Sequence, residues 1–201
     1  GENIRFNDNH RYVKLPKLGW VKCRMSVPHI ENERIKSVTI KQKPSGKYTM
    51  SALVTSENQT LPKTHQTVGI DLGVSDFVIT SDGHKYRSQR LHLKYQKQLH
   101  VWEKRMARRR LRAKTEDRSL SESKNYQKAR QQVARIHEKI AHTRKDYIHK
   151  ITTDLVKNYD VIVIEDLKTS NLLKNHHLAR SIASQSWHQF NTILNNKCDR
   201  Y

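Results

Sequence analysis

The sequence holds 201 residues, with 39 Lys and Arg against 19 Asp and Glu, a formal net charge of +20. Hydrophobic residues reach only 35% and aromatics 7%, enough for one or two domains with a core, while the charge opposes compaction and calls for a polyanion, most simply nucleic acid. No apolar stretch approaches the ~18–20 residues of a membrane-crossing helix and no signal-peptide pattern opens the chain, which excludes a helical integral membrane protein.

The first 63 residues carry net +7 and read as strands. Arg11 to Leu15, Trp20 to Met25, Arg34 to Ile40 and Tyr48 to Val54 are short, β-rich and roughly alternate apolar with polar residues. Pro44-Ser-Gly46 supplies a hairpin turn between the last two. A small β-barrel or sandwich is expected over residues 1–63. Its outward lysines could follow a phosphate backbone or simply be solvated edge-strand charge. Leu61 to His65 reads as a linker into a second domain, residues 64–201.

That domain opens with an acidic stretch, residues 64–84 at net −3. Val68 to Leu72, Asp76 to Thr80 and His84 to Tyr86 predict an antiparallel meander with an Asp-Gly turn at Asp82-Gly83. Helical spacing then takes over. Tyr95, Leu99, Trp102, Met106 and Arg109 form one stripe, and Tyr126, Ala129, Val133, Ile136, Ile140 and Thr143 a second, extended by Tyr147, Ile151 and Leu155. Two long amphipathic helices in an antiparallel hairpin, an insert over about residues 90–158 broken near Thr115–Ser123, fit this pattern. Residues 85–150 carry net +15, so three quarters of the charge is one localised patch. Val161-Ile-Val-Ile-Glu165 reads as a parallel strand buried on both faces, followed by a helix carrying Leu178, Ile182 and Trp187. Cys23 and Cys198 stand alone, with no disulfide framework or paired metal motif, which fits a reducing cytoplasm.

Three strands, helices, a strand and a helix describe an α/β, RNase H-like mixed sheet, in which the first and fourth strands lie side by side and parallel. Asp71 sits on the first and Glu165 ends the fourth, each after a run of apolar residues. A carboxylate buried there needs a partner, and a divalent cation supplies one, since Mg²⁺ and Mn²⁺ prefer oxygen ligands. Each carboxylate alone has an ordinary explanation as well. Asp71 could accept backbone amides at a tight turn, and Glu165-Asp166 could cap a helix. Gly69-Ile-Asp-Leu-Gly73 also resembles the first phosphate motif of actin-like ATPases. Those proteins follow it with small hydroxylic residues, unlike Val74-Ser75-Asp76, and lack a basic helical insert.

Thr67-Val-Gly-Ile-Asp-Leu-Gly-Val74, Arg144-Lys-Asp-Tyr-Ile-His149, Val161-Ile-Val-Ile-Glu-Asp-Leu167, and Asn171 through Trp187-His-Gln-Phe190 together resemble the TnpB-type proteins, transposon-encoded RuvC-like nucleases related to type V CRISPR effectors. The N-terminal strands, with Leu15-Pro-Lys-Leu-Gly19, look like that family's wedge barrel. The resemblance implies an RNA-guided DNA endonuclease with guide RNA and target DNA as partners, Mg²⁺ or Mn²⁺ as cofactor, Asp71 and Glu165 as catalytic metal ligands, and a cytoplasmic, nucleoid-associated location. The family's zinc ribbon and third catalytic Asp would lie beyond residue 201. The chain therefore looks like a piece of a longer protein or a decayed reading frame, and is not expected to be a competent nuclease by itself. A nuclease-silent RNA-guided DNA-binding protein and a DNA-strand-transfer transposase remain the alternatives.

Seven of the eleven residues from Lys104 to Lys114 are basic: Lys104, Arg105, Arg108, Arg109, Arg110, Arg112 and Lys114. On a helix they wrap most of the circumference, and arginine suits bidentate phosphate contact. They are expected to grip the backbone of a guide RNA or a guide–target heteroduplex. His176-His177 chelates a metal poorly, because adjacent helical side chains diverge by ~100°. Trp187 and Phe190 read as core. Tyr12, Trp20 and Tyr48 could stack on bases, although strand aromatics usually pack.

Overall fold

A computed structural model describes residues 4–25, 35–55, 57–58, 60–73, 75–165 and 186–201. The chain divides into two compact units, Gly1–Glu57 and Asn58–Tyr201.

In the first unit, β1 (Arg5–Phe6), β2 (Tyr12–Leu15) and β3 (Gly19–Lys22) form an antiparallel three-stranded sheet. Strands β4 (Ile35–Gln42) and β5 (Tyr48–Val54) form a separate antiparallel ribbon. The expected turn between them is present: Gly46 takes φ 84°, its N–H donates to the Lys43 carbonyl at 2.9 Å, and the Lys43 N–H donates to the Lys47 carbonyl at 2.8 Å. The expected barrel is not. Among the described residues the two sheets stay open and unpaired with each other. A barrel needs every strand hydrogen-bonded on both sides, and strands of two and four residues offer too short a ladder to bridge the gap.

The second unit holds a four-stranded mixed sheet in the order β8-β7-β6-β9: β6 (Thr67–Asp71), β7 (Asp76–Thr80), β8 (Lys85–Arg87) and β9 (Val161–Ile164). The meander β6-β7-β8 is antiparallel, and β9 joins β6 in parallel. Between β8 and β9 run α1 (Leu91–Thr115) and α2 (Lys124–Asn158), and α3 (Trp187–Cys198) comes near the end. The α2 helix, about 52 Å long at 1.5 Å per residue, packs on different partners along its length. Its first half buries Ile136 with Leu91 and Tyr95 of α1. Its second half buries Ile148, Ile151 and Leu155 against Val68, Ile70, Leu72, Phe77 and Val78 of the sheet and Trp187, Phe190 and Leu194 of α3. Phe77 and Phe190 meet edge to face at 5.5 Å, a favoured aromatic geometry.

This core covers one face of the sheet. On the other face Val161 and Val163 remain 51% and 59% exposed, so β9 is not buried on both sides as its apolar run suggests. Among the described residues it is an edge strand, and the described helices pack on its Ile162 and Ile164 side alone. No described helix is long and apolar enough to cross a membrane, and both cysteines are free thiols.

Candidate metal site and nucleic-acid interface

The parallel pairing of β6 and β9 decides where the two carboxylates go. Thr67 registers with Val161, Val68 with Ile162, Gly69 with Val163 and Ile70 with Ile164. Asp71 and Glu165 each come one residue later. Asp71 closes β6 and Glu165 directly follows the end of β9, so both lie at the same end of the sheet, one position past the Ile70–Ile164 pair. Alternation sends Asp71 toward the face that carries Gly69, opposite the core, and both carboxylates are exposed. The expectation that burial forces a partner on them is corrected: both groups are exposed to water.

Contacts at both ends of the strands hold this register. At the start, the Asp160 carboxylate accepts the Thr64 N–H at 3.0 Å, the Thr64 hydroxyl at 3.1 Å and the His65 N–H at 2.9 Å, and the Asp160 N–H donates to the Gln66 carbonyl at 2.9 Å. These bonds tie the entry of β6 to the entry of β9. They also hold the Asp160 carboxyl below its ordinary value, chiefly through the Thr64 and His65 amides. At the far end, the chain turns tightly after Asp71. A Cβ on Gly73 would lie 2.7 Å from the Asp76 carbonyl oxygen, closer than real side chains come, so the turn that follows Asp71 admits only glycine without a shift. A second polar seam ties the β7–β8 turn to α2. Tyr159 donates its hydroxyl to Asp82, Tyr86 donates to Asp154, and the Thr80 hydroxyl also reaches Asp82. The Thr80 and Tyr159 hydroxyls lower the Asp82 carboxyl, Thr80 contributing most.

The donor set fits a hard divalent ion. Two carboxylates supply oxygen ligands, and an exposed position leaves room for the waters that Mg²⁺ retains. Among the described residues no cluster of three or more His, Cys, Asp and Glu side chains forms, so Asp71 and Glu165 stand as a pair. Asp166, Asn171, His176, His177, Leu178 and Ile182 lie outside the described residues.

The seven cations of α1 separate by what they touch. Arg109 turns into the seam with α2 and donates to the Asn125 carbonyl at 2.7 Å. Arg105 lies over the Trp102 ring, 4.7 Å from its centroid, and Arg112 pairs with Glu116 at 2.7 Å. Lys104, Arg108, Arg110 and Lys114 are exposed and have no ion partner among the described residues. Beside Arg110 and Lys114 an open groove of about 560 Å³ continues to Arg118 and Leu120 beyond the helix end. Lys124, Lys128, Arg130 and Arg135 of α2 are exposed as well, and the expected set, drawn from α1 alone, leaves them out. Their signal is the same excess of basic residues, diluted along a longer stretch.

The sheet thus has a carboxylate at the end of each of two parallel neighbours, and a cationic helix lies between those strands in the chain. Residues 38–176 match the OrfB_IS605 family, described as "Probable transposase", and the chain belongs to that family. Among curated relatives, it is 34% identical over 180 residues to a Streptomyces pristinaespiralis protein named "Putative RNA-guided DNA endonuclease", covering 89% of this chain and 42% of that protein. It is 31% identical over 209 residues to the Escherichia coli K12 protein "Putative RNA-guided DNA endonuclease InsQ", covering 96% of this chain and 49% of the relative. The chain spans less than half the length of either.

Proposed function

We propose that this chain forms part of a metal-dependent, RNA-guided DNA endonuclease of transposon origin, with an RNase H-like catalytic sheet and a basic helical hairpin that holds nucleic acid. The observation that carries the reading is the parallel pairing of β6 with β9, at whose shared end Asp71 and Glu165 both lie exposed. The names of the two relatives supply the RNA guide and the DNA target, and the mixed order β8-β7-β6-β9 supports the fold. Mg²⁺ or Mn²⁺ bound there would polarise a phosphodiester and offset charge on its leaving oxygen.

The residues of the chain do the rest. Asp71 and Glu165 present their oxygens toward solvent, where a phosphate backbone can approach. Lys104, Arg108, Arg110 and Lys114 neutralise backbone phosphates without reading bases, which suits a partner whose sequence is read by pairing with a guide. Two carboxylates make a sparse ligand set, so metal affinity is modest and the 201-residue chain alone cleaves little or no DNA.

Calorimetric titration with Mn²⁺ tests the site. The wild-type chain binds, and Asp71→Asn and Glu165→Gln each weaken binding at least about tenfold, as expected when one of two hard ligands is removed. Equal affinity in all three would remove the metal site from the proposal. Robust Mg²⁺-dependent cleavage of guide-matched DNA by this chain alone would overturn the view that two carboxylates are too few for catalysis.

A further inference from the structure

The three-stranded sheet of the first unit has a side that its core does not use. Register places Lys14 opposite Arg5 on one neighbour and opposite Trp20 on the other, and Tyr12 opposite Lys22. Val13 and Leu15 are buried on the reverse side, at 1% and 6% exposure. Strand alternation therefore gathers Arg5, Tyr12, Lys14, Trp20 and Lys22 on a single outward face. Trp20 is 48% and Tyr12 39% exposed. The Arg5 guanidinium lies 5.9 Å from the centre of the Trp20 ring, within cation–π range. The three strands contain no Asp or Glu.

Aromatic residues on short strands belong in a core, and large exposed rings need a reason. Here the rings alternate with cations. Tyr12 and Trp20 are diagonal neighbours across β2 and β3, roughly 7–8 Å apart by sheet geometry, and each has lysines beside it. Interleaved rings and cations are what a single nucleic-acid strand requires, since its bases expose flat faces for stacking while its phosphates follow positive charge. A duplex keeps those faces covered by neighbouring bases. An acidic peptide would use the cations and leave the rings idle.

We propose that the face formed by Arg5, Tyr12, Lys14, Trp20 and Lys22 is a stacking platform for two unpaired bases of a single nucleic-acid strand. The proposal rests on the nucleic-acid-binding part of the function above and is independent of the carboxylate pair. Single-stranded RNA and DNA present the same stacking faces and phosphates, so the platform accepts both. The sugar decides between them.

The test is a fluorescence titration of the full chain with oligo(U), oligo(dT) and a short DNA duplex. Single strands quench a component of the tryptophan emission that is missing in Trp20→Phe, which separates Trp20 from Trp102 and Trp187. Trp20→Ala and Tyr12→Ala each weaken single-strand binding about tenfold. They leave duplex affinity and the salt dependence of binding unchanged. Trp20→Phe, which keeps a ring, stays within about threefold of wild type. Replacing Lys14 and Lys22 by Ala instead flattens the log–log salt slope by about 0.7 per residue for a single strand. Tighter binding of oligo(U) than of oligo(dT) assigns the platform to RNA, and the reverse assigns it to DNA. If Trp20→Ala binds single strands as wild type does, or loses duplex and single-strand affinity equally, the platform is wrong while nucleic-acid binding stands. If the chain binds none of the three probes, the platform and the nucleic-acid reading fall together.

Discussion

Asp71 and Glu165 are far apart in the sequence and come to one end of the sheet because β6 and β9 pair in parallel, whereas the cations of α1 are brought together as soon as the helix forms. The first arrangement depends on tertiary interactions at a few points, such as the Asp160 carboxylate and the Gly73 turn. A slip of one residue would send one carboxylate to the opposite face of the sheet. The second arrangement is written locally and is redundant, so that removing one cation leaves the others in place. A site of the first kind should fail abruptly when changed, and a surface of the second kind should weaken by degrees.

The largest effects therefore belong to the sheet. The drop in Mn²⁺ affinity in Asp71→Asn and Glu165→Gln is the sharpest expected. Gly73→Ala should follow. Its new Cβ meets the Asp76 carbonyl oxygen at 2.7 Å, and that oxygen is backbone, so the turn itself must shift. A destabilisation of about 1–3 kcal/mol, typical of overpacking, should show in urea unfolding, together with weaker Mn²⁺ binding as Asp71 moves. If Gly73→Ala unfolds at the wild-type midpoint and binds Mn²⁺ normally, the tight turn does not aim Asp71, and the contrast between sheet and helix loses its basis.

How much of this is legible in the sequence depends on whether the signal is local. The stripes from Tyr95 to Arg109 and from Tyr126 to Leu155 are periodic over many turns, and α1 and α2 lie along them with a turn where the pattern breaks. The pairing of β6 with β9 can be anticipated from chain order alone. Burial cannot. Val161 to Ile164 reads as uniformly apolar, and nothing in four residues says whether one layer or two will cover them. Exposure of Trp20 and Tyr12 is hidden for the same reason, since a β-branched or aromatic residue on a strand looks alike facing a core or facing water. The barrel failed because closure depends on long-range strand pairing that alternation does not encode. Arg109 groups with its basic neighbours by composition, yet its place in the apolar stripe already points to the seam with α2.

That last distinction gives a graded test on α1. Replacing Arg108, Arg110 and Lys114 together by Ala should lower affinity for a nucleic-acid duplex and flatten the log–log salt slope by up to about 0.9 for each phosphate no longer neutralised. Arg109→Ala should leave that slope closer to wild type and instead lower the unfolding midpoint, because the Asn125 carbonyl loses its donor. Arg112→Ala should do less than either, since its guanidinium is already engaged by Glu116 and exposed pairs contribute little. Equal slope changes for Arg108→Ala and Arg109→Ala would show that α1 acts as an undifferentiated rod of charge.

The smallest expected effect lies at the start of β6 and β9, where Asp160 fixes the register from the end opposite the carboxylate pair. Its carboxyl is held below the ordinary value of 3.8 by the Thr64 and His65 amides and the Thr64 hydroxyl. A carboxylate with a depressed folded value stabilises the protein above its unfolded value and loses that contribution as pH falls through the lower folded one. Stability should therefore be flat near neutrality and drop below about pH 4. Asp160→Asn should be less stable than wild type at neutral pH and should lose less on acidification, so that the two curves converge in acid. Part of the acid dependence should persist in the variant, because Asp82, depressed by the Thr80 and Tyr159 hydroxyls, titrates in the same window. Urea midpoints measured from about pH 2 to neutrality separate the two contributions. Parallel curves for wild type and Asp160→Asn would mean that the bonds from Thr64 and His65 follow the register without enforcing it.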